Sequence, residues 1–438
     1  MRFGFVHNFP GGVYPSHQKS ATRNKPIQKL PPPEEVVISL TPRGEAACRP
    51  QAEPGQMVAR GQMIGLPEGD GTPVYASVSG RVEAVEPRPA LSGGTPLSVV
   101  IRRTEGEEVR LPFAGKAGRM TPEQLLDAVR QLGLGEMDGH RPALHRRLRE
   151  GRGRTRLLIL NGCESEPLLT AVHRVMTERA DQVVCGARLL LELLEAEACV
   201  IAVESNKLDA IEALRSRLPL RGGPIRVLPL KARYPQELER PLVYTCTGIE
   251  LARDQSPLAA GCVVVGAAAA AAVYQGLEEG LPFLSRVVTV AGSQVERPLN
   301  LEVPLGTAMD ELLKACGGCK NAPRCFVAGG PMRGTKLQDL SLPLSGEYPA
   351  LLALGEKEPW AAAAEPVCLR CSQCVQVCPV RLMPLYFHLY RDNPGQLARY
   401  HIQDCMECGA CTYVCPAHIP ITHQIRQGKA LVGEEGRP

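Results

Sequence analysis

Two runs of four cysteines near the carboxyl end constrain this chain more than any other feature. Cys368, Cys371, Cys374 and Cys378 read C-x2-C-x2-C-x3-C-P with Pro379. Cys405, Cys408, Cys411 and Cys415 repeat the pattern with Pro416. Thiolates at that spacing wrap one face of an iron–sulfur cubane. A lone C-x2-C could equally be zinc or a redox dithiol. Two full runs, each closed by proline, leave a structural zinc site as the lesser alternative.

The paired runs resemble the ligand pattern of bacterial two-cluster ferredoxins. That resemblance implies two [4Fe–4S] centres that exchange their fourth ligands. Cluster one would take Cys368, Cys371, Cys374 and Cys415. Cluster two would take Cys405, Cys408, Cys411 and Cys378. Their role would be to pass single electrons.

Length and composition set the frame for the rest. By size, 438 residues suggest about three domains. A hydrophobic share of 44% supports real cores, and 39 prolines imply many turns and edges. A net charge of +4 is too small to argue for nucleic acid. One stretch is more basic: Arg141, Arg146, Arg147, Arg149, Arg152, Arg154 and Arg156. It reads as a solvated helix face and loop, or as a docking surface for an acidic partner such as ferredoxin. Residues 1–10 lack an apolar signal-peptide core. With 17 cysteines, a reducing cytosol and metal ligation fit better than disulfides. Leu258–Val273 is the longest apolar run, yet short for a membrane span and rich in Ala, Gly and Val. It reads as a buried helix or a strand followed by a helix. The expected location is cytoplasmic, or the cytoplasmic face of a membrane through partner subunits.

The chain divides into five expected segments. Residues 1–35 carry Gly11-Gly12 and Pro31-Pro32-Pro33 and read as extended, lying on a surface or wrapping a neighbour. Residues 36–112 alternate short apolar pieces with glycine. They resemble a biotinyl/lipoyl-type barrel-sandwich, but no lysine lies between Val36 and Arg110 to serve as a swinging arm. Residues 120–281 alternate apolar runs at 157–160, 199–203 and 225–228 with helical periodicity, which predicts an α/β layer with parallel strands. Residues 284–345 look like a soluble-ligand-binding β-grasp (SLBB) unit. A polar, alanine-rich linker, 355–365, precedes an expected cluster domain at 360–425, whose connecting segment Asn393-Pro394 splits into two short helices. The fold class is thus multidomain, mixed α+β and α/β, with a helical dicluster unit at the end.

This order of modules resembles the C subunit of the Rnf electron-transport complex. The motifs that carry the resemblance are Gly11-Gly12-Val13-Tyr14-Pro15, Asn161-x-x-Glu164-x-Glu166-Pro167, Glu204-x-Asn206-Lys207 and the paired cysteine runs. Similar proteins include the cobalamin-reductase flavoprotein of propanediol microcompartments and the electron-transfer protein of proline reductase. The α/β part is similar to the NADH-binding flavoprotein of respiratory complex I. The resemblance implies that this domain holds FMN and accepts a hydride from NAD(H), which the flavin splits into single electrons. Glu164 and Glu166, at a strand's carboxyl end, are the candidate cofactor-binding residues; a solvated loop is the competing reading.

Three positions depart from the family pattern. Its glycine-rich loop is close to G-x-G-G-A-G-F-P-T; here Gly133–Ala143 reads G-L-G-E-M-D-G-H-R-P-A. Tyr234-Pro235-Gln236-Glu237-Leu238 stands where the family has Tyr-Pro-x-Gly-Gly, and Val264-Val265-Gly266 where it has Asn-Val-Gly. Side chains replace hydrogen where backbone amides should approach phosphate. The expectation is that FMN, and with it NAD(H), is bound weakly or not at all, unless other residues rebuild the site.

Cys316, Cys319 and Cys325 form C-x2-C-x5-C in a glycine-containing loop. With a fourth ligand such as Cys163 or Cys246 they could hold zinc or a further cluster; otherwise they are reduced loop cysteines. Cys48, Cys185, Cys199 and Cys262 read as small core residues. Taken together, the chain reads as an electron-transfer subunit of an oxidoreductase. Its partners would be ferredoxin, membrane Rnf-type subunits or a soluble reductase. The alternatives are a soluble adaptor feeding a dedicated reductase, and a non-catalytic iron–sulfur docking or redox-sensing module.

Overall fold

The computed structural model describes residues 6–42, 44–134, 137, 143–219, 222–356, 358 and 367–435. The amino-terminal segment is extended and wraps three neighbours. Gly12 donates its N–H to the Val377 carbonyl at 2.8 Å, and Val13 and Tyr234 exchange backbone hydrogen bonds at 2.8 and 2.9 Å. Gly11 has φ +60°, and a Cβ there would sit 2.6 Å from the Cys378 carbonyl oxygen, so only glycine lets the strap lie this close. The segment ends in β1 (Ile27–Lys29).

Strands β2 (Glu35–Ser39), β3 (Arg49–Pro50), β4 (Met57–Val58), β5 (Met63–Leu66), β6 (Val74–Tyr75), β7 (Gly80–Pro87) and β8 (Leu97–Arg103) make the barrel-sandwich. One sheet runs β2-β8-β7-β4 and the other β3-β5-β6. Val36, Ile38, Ile64, Val82, Val99 and Ile101 fill the space between them.

The α/β domain starts with α1 (Pro122–Gln131), whose Thr121 and Gln124 form a reciprocal capping box. Then come α2 (Leu144–Gly151), β9 (Leu157–Asn161), α3 (Ala171–Glu178), α4 (Ala180–Leu194), β10 (Ala198–Glu204), α5 (Leu208–Arg215), β11 (Ile225–Leu230), α6 (Glu239–Thr247), β12 (Cys262–Gly266) and α7 (Ala267–Glu279). The sheet is parallel in the order β11-β10-β9-β12. Leu158 and Leu160 of β9 pack into one core, while Leu157 and Ile159 pack into a second with Leu242 and Val243 of α6. Both faces are covered, which explains why these strands read as unbroken apolar runs rather than alternations. The apolar run from Leu258 resolves into β12 followed by α7, not a span. Strand order reverses between β9 and β12, so the carboxyl ends of these two strands flank the switch-point crevice of a doubly wound sheet.

The β-grasp unit comprises β13 (Ser285–Ala291), β14 (Leu299–Pro304), α8 (Met309–Ala315), β15 (Cys325–Ala328), β16 (Thr335–Leu337) and β17 (Ala350–Leu354). Its sheet has the order β1-β14-β13-β17-β15-β16, so β17 lies at its centre and the amino-terminal strand at its edge. The sheet thus runs beyond residue 345, the boundary expected from sequence. The linker 355–365 lies mostly outside the described residues. Within it, the buried Glu358 accepts from Ser293 N–H at 2.9 Å.

The last unit holds α9 (Gln373–Gln376), α10 (Pro384–Leu389), α11 (Pro394–Arg399), α12 (Ala410–Tyr413) and α13 (Ile421–Glu435). Asn393 caps α11 by accepting from Gln396 N–H at 3.0 Å, with Pro394 in the first turn. The two cysteine runs repeat one backbone path. Arg370, Ser372 and Arg381 have positive φ, as do Glu407, Gly409 and His418 at the matching positions. Among the described residues, no helix is long and apolar enough to cross a membrane.

Candidate metal centres and the adjoining crevice

The helical unit holds two partly open cavities, each with about 370 Å³ of empty space that includes some open to solvent. Cys368, Cys371, Cys374 and Cys415 line the first; Cys378, Cys405, Cys408 and Cys411 line the second. Each cavity thus receives three thiols from one run and the fourth from the other. Apolar side chains complete the walls, Leu385, Ile419 and Ile421 around the first and Leu382 and Ile425 around the second. Among the described residues, no His, Cys, Asp or Glu side chains crowd together in threes as a single ion would need. A cubane asks for less crowding, since each of its four irons takes one thiolate. Four thiols around each cavity supply the donor set of one cubane.

Backbone amides already point at two of the sulfurs. Leu382 N–H lies 3.2 Å from Cys378 Sγ, and Glu407 N–H lies 3.3 Å from Cys405 Sγ. Such bonds stabilise charge on sulfur and help set cluster potentials. Burial pushes the thiols of Cys405 and Cys408 up to about 11 and about 12, so metal loading must displace protons there.

The two cavities differ in surroundings. The second faces inward. Tyr234, fully buried, donates its hydroxyl to the Cys408 carbonyl, and Arg240 Nη1 donates to the Asp404 carbonyl at 3.2 Å. The first faces solvent: Cys371 is exposed, and Val367 and Leu369 are 83% and 66% exposed.

Next to the inner cavity, the carboxyl ends of β9 and β10 hold a buried set of charges. Glu164, Glu166, Glu204, Lys207 and Lys19 are each under 9% exposed. Lys207 pairs with Glu204, and Lys19 donates to the Glu164 carbonyl. Burial alone would lift Glu204, but Lys207 and Lys19 hold it below the usual carboxylate range. Burial opposes the charge of Lys207, yet Glu204 and Glu164 outweigh it and hold its ammonium above the ordinary value. Lys19 is pushed down by burial and by Lys207. Glu164 caps the amino end of α3, accepting from Val172 N–H at 2.9 Å. Glu166 turns the other way and accepts from Met332 N–H at 2.9 Å. Gly330 permits this approach, because a Cβ there would lie 2.3 Å from the Glu166 carboxyl carbon. Glu237 reaches in from the loop before α6. Its Oε2 accepts from Ser165 N–H at 2.6 Å, Ser165 Oγ at 2.9 Å and Glu166 N–H at 3.2 Å. Burial and then Glu237 push Glu166 up to about 8, and burial raises Glu237 as well.

Four family models match successive parts of the chain. They are the RnfC barrel sandwich hybrid domain over residues 7–106, the Nuo51 FMN-binding domain over 129–275, the SLBB domain over 287–336 and a 4Fe-4S dicluster domain over 367–419. The C subunit of the ion-translocating oxidoreductase complex of Pseudomonas aeruginosa is 35% identical over 98% of this chain and 56% of its own length. The C subunit of the Na(+)-translocating ferredoxin:NAD(+) oxidoreductase complex of Acetobacterium woodii is 34% identical over 86% of each chain. That of the proton-translocating complex of Clostridium ljungdahlii is 31% identical over 86% of this chain and 83% of its own. The chain belongs to the RnfC family, the C subunits of ion-translocating oxidoreductases. It spans just over half of the Pseudomonas relative and most of the two others. A chain of NAD+-reducing [NiFe]-hydrogenase shares the fold, with a TM-score of 0.51 at 17% identity, covering 72% of this chain and 64% of that one.

Against the RnfC pattern, the structure places the remaining candidates as follows. Of the glycine-rich stretch, residues 135, 136 and 138–142 lie outside the described residues. Glu164 and Glu166 are buried, so the solvated-loop reading fails. Among the described residues no three His, Cys, Asp or Glu donors stand ready for a single ion, and this holds for Cys316, Cys319 and Cys325 as for the paired runs. Cys316 is fully buried in the β-grasp core, Cys319 bridges to Val295, and Cys325 opens β15. Cys163 and Cys246 pack in the core beneath the parallel sheet, away from that loop. Cys48, Cys199 and Cys262 are buried; Cys185 is only partly so.

Four members of the arginine-rich run pair within the chain, while Arg149, Arg154 and Arg156 are exposed. Arg146 and Arg149 hold Asp70 of the barrel-sandwich, Arg147 donates to the Val264 carbonyl, and Arg152 pairs with Glu123 and Glu195 at 2.6 and 3.0 Å. Arg141 lies outside the described residues. Sequence reasoning missed Lys19 altogether. It noted Glu237 only as a glycine lost.

Proposed function

We propose that this chain is the iron–sulfur relay of an ion-translocating oxidoreductase. Cys368, Cys371, Cys374 and Cys415 would hold an outer [4Fe–4S] cluster, and Cys378, Cys405, Cys408 and Cys411 an inner one. The observation that carries the reading is the pair of equal cavities, each with three thiols from one run and one from the other. Bound clusters of this kind pass single electrons. The protein's part is to place them. Val367, Leu369 and Cys371 leave the outer site open to a redox partner, while Tyr234, Arg240 and Gly12 hold the inner site against the α/β domain. The relatives' names point to electron exchange between ferredoxin and NAD, with ion movement left to membrane subunits.

The α/β domain keeps the family scaffold, but its residues do not fit FMN well. Glu237 stands where the family has glycine, and its carboxylate takes amides at the carboxyl end of β9. That is where a doubly wound sheet receives its ligand. A phosphate arriving there meets the Glu237 carboxylate instead of free N–H groups. No step is therefore assigned to a flavin, and the clusters form the whole redox chain of this polypeptide.

Anaerobic purification with iron and acid-extracted flavin quantification tests both halves. The expected result is about eight irons per chain and flavin far below one. Zinc in place of iron would overturn the relay; stoichiometric FMN would overturn the closed crevice.

A further inference from the structure

The last helix reaches back to the inner site. Lys429 of α13 donates to the Cys405 carbonyl at 2.7 Å and to the Glu407 carboxylate at 2.8 Å. Arg426, nearly one turn earlier, donates to the other oxygen of Glu407 at 3.1 Å. Glu407 has φ +54°, a left-handed backbone that side chains rarely adopt. In that conformation its N–H lies 3.3 Å from Cys405 Sγ. Lys429 therefore bonds both residues of this N–H···S contact.

The local sequence explains how α13 comes so near. Gly428 is buried, and a Cβ there would lie 2.8 Å from Ile402 Cδ1 and 2.9 Å from Leu397 Cδ1. Glycine lets the helix lie against α11 and the turn before Cys405, and Lys429 follows directly. Gln403 of that turn donates to the Lys429 carbonyl at 2.9 Å. The Lys429 side chain is 19% exposed, so water and salt screen its charge only in part. The first run differs at the matching place. Arg370 there has φ +53° and is exposed. The inner site thus carries a carboxylate held by two cations where the outer site carries an exposed arginine.

A reduced cluster holds one more negative charge than an oxidised one. A nearby cation and an N–H aimed at a ligating sulfur both favour that state. Two cations against one carboxylate leave positive charge in excess beside Cys405.

We propose that Lys429 is a positioning residue for the inner cluster: it holds the Glu407 amide on Cys405 Sγ and places positive charge beside that ligand, so that this cluster accepts its electron more readily. The proposal rests on the ligand assignment above. The electron comes from a one-electron reductant and stays on the cluster, and no bond to Lys429 or Glu407 forms or breaks.

The test is a potentiometric titration of the full, cluster-loaded chain with dithionite, followed by electron paramagnetic resonance. Lys429→Met should make one cluster harder to reduce, by about tenfold in its reduction equilibrium or about 59 mV, and leave the other unchanged. Lys429→Arg should restore most of that loss. Glu407→Gln keeps an acceptor for Lys429 but removes the negative charge, so the same cluster should become easier to reduce. A merely structural role would not give the two variants opposite signs. In pulsed spectra, exchange into deuterated buffer should reveal an exchangeable proton coupled to that cluster, with weaker coupling in Lys429→Met. If Lys429→Met does not load the inner cluster, Glu407→Gln decides: a rise in potential supports the proposal, and no rise overturns it. Unchanged potentials, equal shifts of both clusters, or a loss that Lys429→Arg does not restore would overturn the role of Lys429 and leave the relay standing. Absence of cluster signals from the unaltered chain would overturn both.

Discussion

The cluster unit and the crevice beside it both hold charge away from water, in opposite ways. In the cluster unit the groups are near one another in sequence, and they await a positive partner from outside. In the crevice the groups come from residues 19, 164–166, 204–207 and 237, and they serve as one another's partners. The first arrangement is complete only with its metal. The second pairs much of its charge within the chain. The difference teaches that local spacing can gather a cluster's donors, whereas long-range packing gathers a charge network.

The largest effect should come from the crossing of ligands. Cys415→Ser should lose the outer cluster and keep the inner, and Cys378→Ser the reverse, halving iron from about eight to about four per chain. Loss of the opposite cluster in either variant would mean the pairing is crossed wrongly. Next in size is the crevice's own pairing. Lys207→Met leaves Glu204 buried without its cation, at a cost of about 3–5 kcal/mol. Chemical unfolding measures it, and a change near zero would mean that the charges do not depend on one another.

A smaller effect is pH-dependent. Native Glu166 keeps, up to about pH 8, a proton that the unfolded chain releases near the ordinary carboxylate value. Its contribution therefore favours folding below that ordinary value and fades as pH rises toward 8. The slope is at most about 1.4 kcal/mol per pH unit. Unfolding midpoints at pH 6 through 8 should fall less in Glu166→Gln than in the unaltered chain. Smallest is the surface staple: Asp70→Ala should cost under about 1 kcal/mol, and less in high salt. A larger loss would show that the junction between barrel-sandwich and α/β domain is held by these charges rather than by packing.

The cluster unit was legible because its information is local. Spacing of Cys368 to Cys378 and of Cys405 to Cys415 determines which thiols can face one cubane, and proline marks where each run turns away. The parallel strands were legible for a similar reason, since Leu157–Leu160 and Cys199–Val203 are apolar on both faces. The crevice was not. Nothing around Lys19 marks it as the partner of a carbonyl at Glu164. Glu237 was visible as a departure from glycine, but its three hydrogen bonds to Ser165 and Glu166 depend on long-range packing. Cys316, Cys319 and Cys325 spread from the β-grasp core, where Cys316 is buried, to the start of β15, a placement that their spacing does not reveal. The partners of the arginine run, Asp70, Glu123 and Glu195, were not legible either, because they are distant in sequence.

The amino-terminal strap has a consequence for the order in which the molecule is assembled. During synthesis, residues 9–13 emerge long before Val377, Cys378 and Tyr234, against which they finally rest. Strand β1 must likewise wait for β14. The strap therefore closes late, after the α/β domain exists and the first cysteine run has taken its path. Once Gly11 and Gly12 lie against Val377 and Cys378, an early segment of the chain is fastened to the cluster unit.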